Sequence, residues 1–370
     1  MSKRPWYEGQ LWIGMSLGAW LRLLARNRFA VSPSRLPQAA AVTAYATANS
    51  GAGLVQRLWY SRRIARMELA PDPLYILGHW RSGTTLLHEL LALDPRHRTP
   101  TTFECLAPHH FLISEAVIRR WFWFLLPKKR PMDNMRLGYD RPQEDETALC
   151  GLGVPSPFLT IAFPNRPVQD AAYHDLRELP ASEWARWQAR LARFYRSLLV
   201  HRHGKLVLKS PQHSFRIPVL AEMFPQMRCV QLVRDPYTVV SSAVHFWWSM
   251  YEAYALQAPP YEGIEQYVFE TFEQMQKALE RDRALIPAEN WIDLRYEDLV
   301  ADPVACLADL YERLELGDFE PARPAIEQYA QRARRYQTNK YELAPEQMEE
   351  ITRRWLPLVE RYGYRNPKVA

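Results

Sequence analysis

The rhythm of apolar residues changes near residue 71. Before it, Trp12, Leu17, Trp20 and Leu24 recur at helical spacing, Pro33 and Pro37 interrupt, and no strand pattern is visible. Residues 1–70 read as a helical, basic N-terminal extension. After it come short, nearly unbroken apolar runs at Leu74–Leu77, Leu206–Leu208, Cys229–Val233 and Trp291–Leu294. Such runs predict strands buried on both faces, as in a parallel sheet. Helical stretches lie between them. Ser182–His203 puts Trp184, Trp187, Leu191, Phe194 and Leu198 on one face, with Ser182 as a cap candidate and Gly204 as the stop. Strands alternating with helices predict an α/β domain over residues 71–370. No internal repeat or low-complexity tract is present.

Composition narrows this only slightly. Apolar residues make up 48% and charged residues 24%, which argues against wholesale disorder. A net charge of +6 suits an anionic ligand or an anionic membrane surface without choosing between them. Cys105, Cys150, Cys229 and Cys306 are scattered, so neither a zinc cluster nor a disulfide scaffold is expected, and a cytoplasmic location fits. Leu11–Leu24 is shorter than the ~20 apolar residues of a spanning helix, and Arg22 interrupts it. No secretory leader pattern precedes it, so the expectation is a soluble or membrane-associated protein.

The strongest chemical signal is Gly78-His79-Trp80-Arg81-Ser82-Gly83-Thr84-Thr85, directly after the first apolar run. Two glycines five apart, then hydroxyl residues at a helix start, form a phosphate loop. Backbone N–H groups can wrap an anion there, and the helix N-terminus adds partial positive charge. Nucleoside-triphosphate loops place Lys after the second glycine and a magnesium-binding hydroxyl next. Here Thr84 takes the lysine position and the cation stands upstream at Arg81. A phosphosulfate carries less charge at its reacting end than a triphosphate, so arginine and loop amides suffice without a metal.

Three blocks in order resemble the PAPS-dependent sulfotransferases (PAPS is 3′-phosphoadenosine 5′-phosphosulfate). Arg81-Ser82-Gly83-Thr84-Thr85-Leu86 is similar to the family's 5′-phosphosulfate loop. Val233-Arg234-Asp235-Pro236 through Ser242 resembles the 3′-phosphate motif, with Arg234 at a strand end and Ser242 eight residues later on the next helix. Leu294-Arg295-Tyr296-Glu297-Asp298-Leu299 resembles the segment whose tyrosine lies near the adenine. The arginine loop is closest in type to the bacterial branch and the tyrosylprotein sulfotransferases. The resemblance implies a P-loop-type parallel sheet flanked by helices, PAPS as donor, PAP as released product and no metal. Arg234 also stands without the family, because open sheets bind ligands at strand carboxyl ends and a guanidinium suits a phosphate monoester.

For the chemistry, Arg81 is expected at the bridging oxygen and Lys209, at the end of Leu206–Leu208, beside the sulfonate. The resemblance nominates Glu104 as the base that removes the hydroxyl proton. His213 is the alternative, since phenol-type enzymes carry a histidine two residues after the strand-end lysine, where Pro211 stands here. The run Glu144-Asp145-Glu146 reads as a solvated loop. Arg334, Arg335 and Lys340 lie where phenol-type enzymes close over the 3′-phosphate, and equally fit a charged helix face.

Thirteen tryptophans mark the chain. Trp121-Phe122-Trp123-Phe124 before Lys128, Lys129 and Arg130, Phe246-Trp247-Trp248, and Trp12 and Trp20 with Arg22 suggest peripheral membrane contact and an amphiphilic hydroxyl acceptor. A large aromatic core with an apolar acceptor pocket explains them equally. Neither a nucleic-acid partner nor an oligomeric state is indicated. Two rival classes are a nucleotide kinase, disfavoured by the missing loop lysine, and an inactive nucleotide-binding protein, disfavoured by Arg81 and Lys209.

Overall fold

The computed structural model describes residues 11–121, 138–333 and 343–364. The N-terminal extension forms two helices, α1 (Leu17–Arg26) and α2 (Leu36–Arg66). Then follow β1 (Leu74–Leu77), α3 (Thr84–Leu91), β2 (His97–Arg98), α4 (Thr102–Leu106), α5 (Phe111–Trp121), α6 (Asp145–Gly151), α7 (Ala181–His201) and β3 (Lys205–Lys209). The rest comprises α8 (Ile217–Met223), β4 (Arg228–Val233), α9 (Pro236–Tyr254), α10 (Ile264–Asp282), β5 (Trp291–Arg295), α11 (Tyr296–Ala301), α12 (Pro303–Arg313), α13 (Arg323–Ala333) and α14 (Pro345–Arg361).

The sheet runs β2-β3-β1-β4-β5, and every pairing is parallel. All four predicted strands are present. β2 is additional: two residues with no apolar run offer no sequence signal. Ile76 pairs with Lys209 on one side and Val230 on the other, so the ends of β1, β3 and β4 share one edge. The chain turns from one half of the sheet to the other at β1, where open α/β sheets bind ligands.

Side chains alternate between two cores, as the two-residue strand period requires. Leu74, Ile76, Val207 and Val230 pack with Leu87, Leu307 and Tyr311 on one face. Tyr75, Leu77, Leu208 and Cys229 join Trp187, Phe246 and Trp247 on the other. Trp12, Trp20, Val42 and Ala46 of the extension belong to that second core. Trp12 and Trp20 are therefore structural, not membrane-facing, because their rings are sealed and their Nε1 groups donate to Tyr254 O and Thr43 Oγ1. Among the described residues, no helix is long and apolar enough to cross a membrane.

Candidate active site

The loop after β1 is held in a shape that few residues adopt. Gly78 (φ 137°) and Gly83 (φ 97°) occupy positive-φ conformations, and so does Arg81 at φ 72°. A non-glycine residue there costs of order 1–3 kcal/mol and marks a position fixed by its surroundings. Gly78 N–H donates to Ser214 Oγ at 2.9 Å, and Ser82 Oγ donates to His79 O at 2.8 Å. Gly83 is required twice over: a methyl added there would lie 2.2 Å from Cδ2 of Tyr296. Thr84 and Thr85 begin α3, whose first N–H groups lack intrahelical acceptors, as an anion site at a helix N-terminus requires. Leu86 anchors this turn against the first of the two cores.

The second and third blocks converge on this loop. Arg81 Nε donates to Ser242 Oγ of α9 at 2.9 Å, and Arg234 Nη1 donates to Arg81 O at 2.9 Å. The Arg234 guanidinium stacks 4.2 Å from the Tyr296 ring centroid. Its pKa is drawn down by burial, a cost that Tyr296 and Glu297 oppose. A cavity lined by Arg234, Thr238, Arg295, Tyr296 and Tyr364 opens beside them.

Lys209 enters from β3. Its Nζ lies 3.5 Å from Thr85 Oγ1 and 2.6 Å from Glu144 Oε1. This is the start of a ladder. Glu144, Asp145 and Glu146, at the N-terminus of α6, meet Lys209, His213 and Arg216 one for one, the last two pairs at 2.9 and 2.6 Å. The acidic run is thus no solvated loop. Asp145 and Glu146 are buried, and each has its own partner: the His213 imidazole for Asp145 and the Arg216 guanidinium for Glu146. Three acids facing Lys209, His213 and Arg216 were the available signal, and local reading of either run missed it.

The two nominated bases sit differently. His213 is fully buried; its Nε2 pairs with Asp145, which also accepts from Tyr195 Oη at 2.5 Å. Glu104 lies in another network. It is fully buried, ion-paired to Arg98, bonded to His201 Nδ1 at 2.8 Å, and accepts the Thr101 N–H at 2.8 Å as the capping box of α4. Burial works against its ionisation, but the bonds from His201, Arg98 and Thr101 outweigh it and hold its pKa near about 2. Glu104, Glu115 and His201 are the one trio of metal-ligand types that converges among the described residues, and the Arg98 cation occupies it. Its oxygens are thus taken up by Arg98, His201 and the Thr101 amide. Arg334, Arg335, Lys340 and the segment Phe122–Arg130 lie outside the described residues.

The family model described as "Sulfotransferase family" matches residues 73–321. This chain belongs to the sulfotransferase family. A curated relative, the omega-hydroxy-beta-dihydromenaquinone-9 sulfotransferase Stf3 of Mycobacterium bovis, is 45% identical over 98% of this chain and 92% of its own length. The protein of that name from Mycobacterium tuberculosis matches equally. Among solved structures, sulfotransferase STF9 from Mycobacterium avium overlays with a TM-score of 0.72 at 18% identity, covering 94% of this chain and 92% of its own. STF1 from Mycobacterium tuberculosis overlays at 0.57, with 18% identity over 92% and 91%. These two share the fold. The chain is a sulfotransferase, and the loop, strand ends and Lys209 described above lie within the matched residues.

Proposed function

We propose that this sulfotransferase moves a sulfuryl group from PAPS to the hydroxyl of an amphiphilic, lipid-like acceptor, releasing PAP, with Glu144 receiving the acceptor's proton. The observation that carries this reading is the contact line Thr85–Lys209–Glu144, which sets a cation and a half-sheltered carboxylate side by side at the phosphate loop.

Arg234 and Ser242 would hold the 3′-phosphate, Tyr296 the adenine, and the amides of Gly83, Thr84 and Thr85 the 5′-phosphate. The acceptor oxygen attacks sulfur in line as the bond from sulfur to the bridging oxygen breaks. PAP leaves with that electron pair. Arg81 and Lys209 stabilise the charge growing on the leaving phosphate, and the proton passes to a Glu144 oxygen. A lipid-like acceptor is supported by the Stf3 relative, an omega-hydroxy-beta-dihydromenaquinone-9 sulfotransferase, and by the aromatic wall beside Arg81. There the guanidinium lies 5.9 Å from the Phe246 centroid, and Trp80 meets Trp247 at 5.4 Å. Reaction at the cytoplasmic membrane surface follows from such an acceptor.

Two measurements test the reading. PAP should raise the melting temperature, and ATP with Mg²⁺ far less, because Thr84 replaces the loop lysine. Labelled sulfate from PAPS should enter the organic phase of a lipid extract. Equal stabilisation by both nucleotides would refute the donor, and label confined to the aqueous phase would refute the acceptor.

A further inference from the structure

One surface of the molecule has no part in the site. α2 is a 31-residue helix that contains no acidic residue. It packs inward through Val42, Ala46, Gln56 and Ile64. At 100° per residue, Leu54, Val55 and Leu58 point away from that buried face, and Trp59 flanks them. Leu58 is 80% exposed and Trp59 72%. Gln56 Oε1 accepts the Leu112 N–H at 2.8 Å, which sets α5 alongside, and α5 adds Val117 and Trp121, the latter 65% exposed.

Among the described residues, arginine dominates the charge on this surface. Arg57, Arg62, Arg63 and Arg66 project from the same half of α2. Arg193 of α7 lies near both Arg190 and Arg57: burial first, then repulsion from Arg190 and Arg57, lowers its pKa. The one acid on α5, Glu115, is already engaged by Arg119 and His201. Isolated surface leucines need no explanation, but an apolar stripe beside arginines that meet no carboxylate among the described residues does. Tryptophan at the edge of an apolar face, with arginines beside it, is the chemistry of a helix lying in a membrane interface.

We infer that the outer face of α2, with the end of α5 and the α7 arginines, docks on an anionic phospholipid bilayer. Leu54, Leu58, Trp59 and Trp121 enter the headgroup boundary, and Arg57, Arg62, Arg63 and Arg190 meet lipid phosphates. Of the tryptophans named from the sequence, this surface keeps Trp121, whereas Trp12, Trp20 and Trp247 are buried. It deepens the lipid-acceptor reading by naming where the enzyme meets the bilayer, yet its test needs no acceptor.

The test uses the full chain in co-sedimentation with vesicles of phosphatidylcholine alone or mixed with phosphatidylglycerol. Wild type should pellet with mixed vesicles and much less with phosphatidylcholine, and added salt should release it. Each arginine lost, as in Arg57→Gln or Arg62→Gln, should lower partitioning about fivefold. Leu58→Glu with Trp59→Glu should abolish binding, while far-ultraviolet circular dichroism and the PAP-induced melting shift stay at wild-type values. The inference is overturned if wild type ignores both vesicles, or if the variants bind as well as wild type. It is equally overturned if Leu58→Glu instead dissolves a dimer seen by light scattering, which would make the face a protein interface. Wild type that ignores vesicles but sulfates lipid extract dispersed in detergent would sink the docking face and leave the function intact.

Discussion

Glu104 and Glu144 are both glutamates at the start of short helices, and both contact a cation, yet their surroundings are opposite. Glu104 is sealed: Arg98, His201 and the Thr101 amide occupy its oxygens, and it ties the turn before α4 to the end of α7. Glu144 keeps 16% of its side chain exposed and reaches Lys209, which borders the phosphate loop. Position along a motif nominated the first. Partners and access favour the second. A carboxylate whose lone pairs are all taken by donors stabilises a fold, whereas a general base needs an open oxygen within reach of the acceptor.

The largest effect expected from breaking this contrast is in Glu144→Gln. It keeps shape and a hydrogen-bonding oxygen for Lys209 but cannot take a proton. Turnover should fall roughly 10²–10⁴-fold with PAP affinity near wild type, read from steady-state rates and calorimetric titration. An unchanged rate would remove Glu144 from the chemistry. Glu104→Gln should do the reverse. Breaking a buried ion pair leaves Arg98 uncompensated and should cost about 3–5 kcal/mol of stability in denaturant unfolding, while turnover per folded molecule changes little.

The same carboxylate gives a pH test without mutation. Its folded pKa is depressed to about 2 from 4.5, so its stabilisation is present above the unfolded value and is lost as pH falls from there through about 2. Wild type should lose stability across that window, and Glu104→Gln should show a shallower loss. Parallel curves would show that other carboxylates govern acid unfolding.

On the donor side, Arg234→Ala should weaken PAP by about 2–3 kcal/mol, since one charge-assisted contact is removed, and adenosine 5′-phosphosulfate much less. Equal loss for both would mean that the contact to Arg81 O and the stacking on Tyr296 are its whole role.

What the sequence revealed follows the range of the interactions. β1, β3, β4 and β5 were visible because each is a local apolar run, and the loop because its glycines and hydroxyls are consecutive. Arg234, Ser242 and Tyr296 could be named because each stands at a fixed distance from a strand end. The ladder from Glu144–Glu146 to Lys209, His213 and Arg216 was not visible, because its partners are about 65 residues or more apart and each run alone resembles surface charge. β2 gave no signal, since two polar residues make strand only through β3. Trp12 and Trp20 suggested a membrane face because an aromatic residue reads the same in sequence whether it is buried or exposed.

The smallest effect belongs to His213. Its Nε2 faces Asp145, which Tyr195 also supplies with a hydrogen bond, so the imidazole is one of two donors to a buried carboxylate. Its Nδ1 is buried and unpaired among the described residues, packed near the Tyr75 ring at 5.2 Å between centroids. An acceptor hydroxyl would have to displace core atoms to reach it. His213→Gln retains an amide donor for Asp145 and should cost about 1–3 kcal/mol of stability, with less than a roughly tenfold change in turnover. The acid limb of the pH–rate profile should keep its wild-type midpoint, because the group that sets it is still present. A rate loss as large as that of Glu144→Gln, with that limb abolished, would transfer the base to His213. Lys209 and Glu144 would then be left as a pair that orients the sulfonate alone.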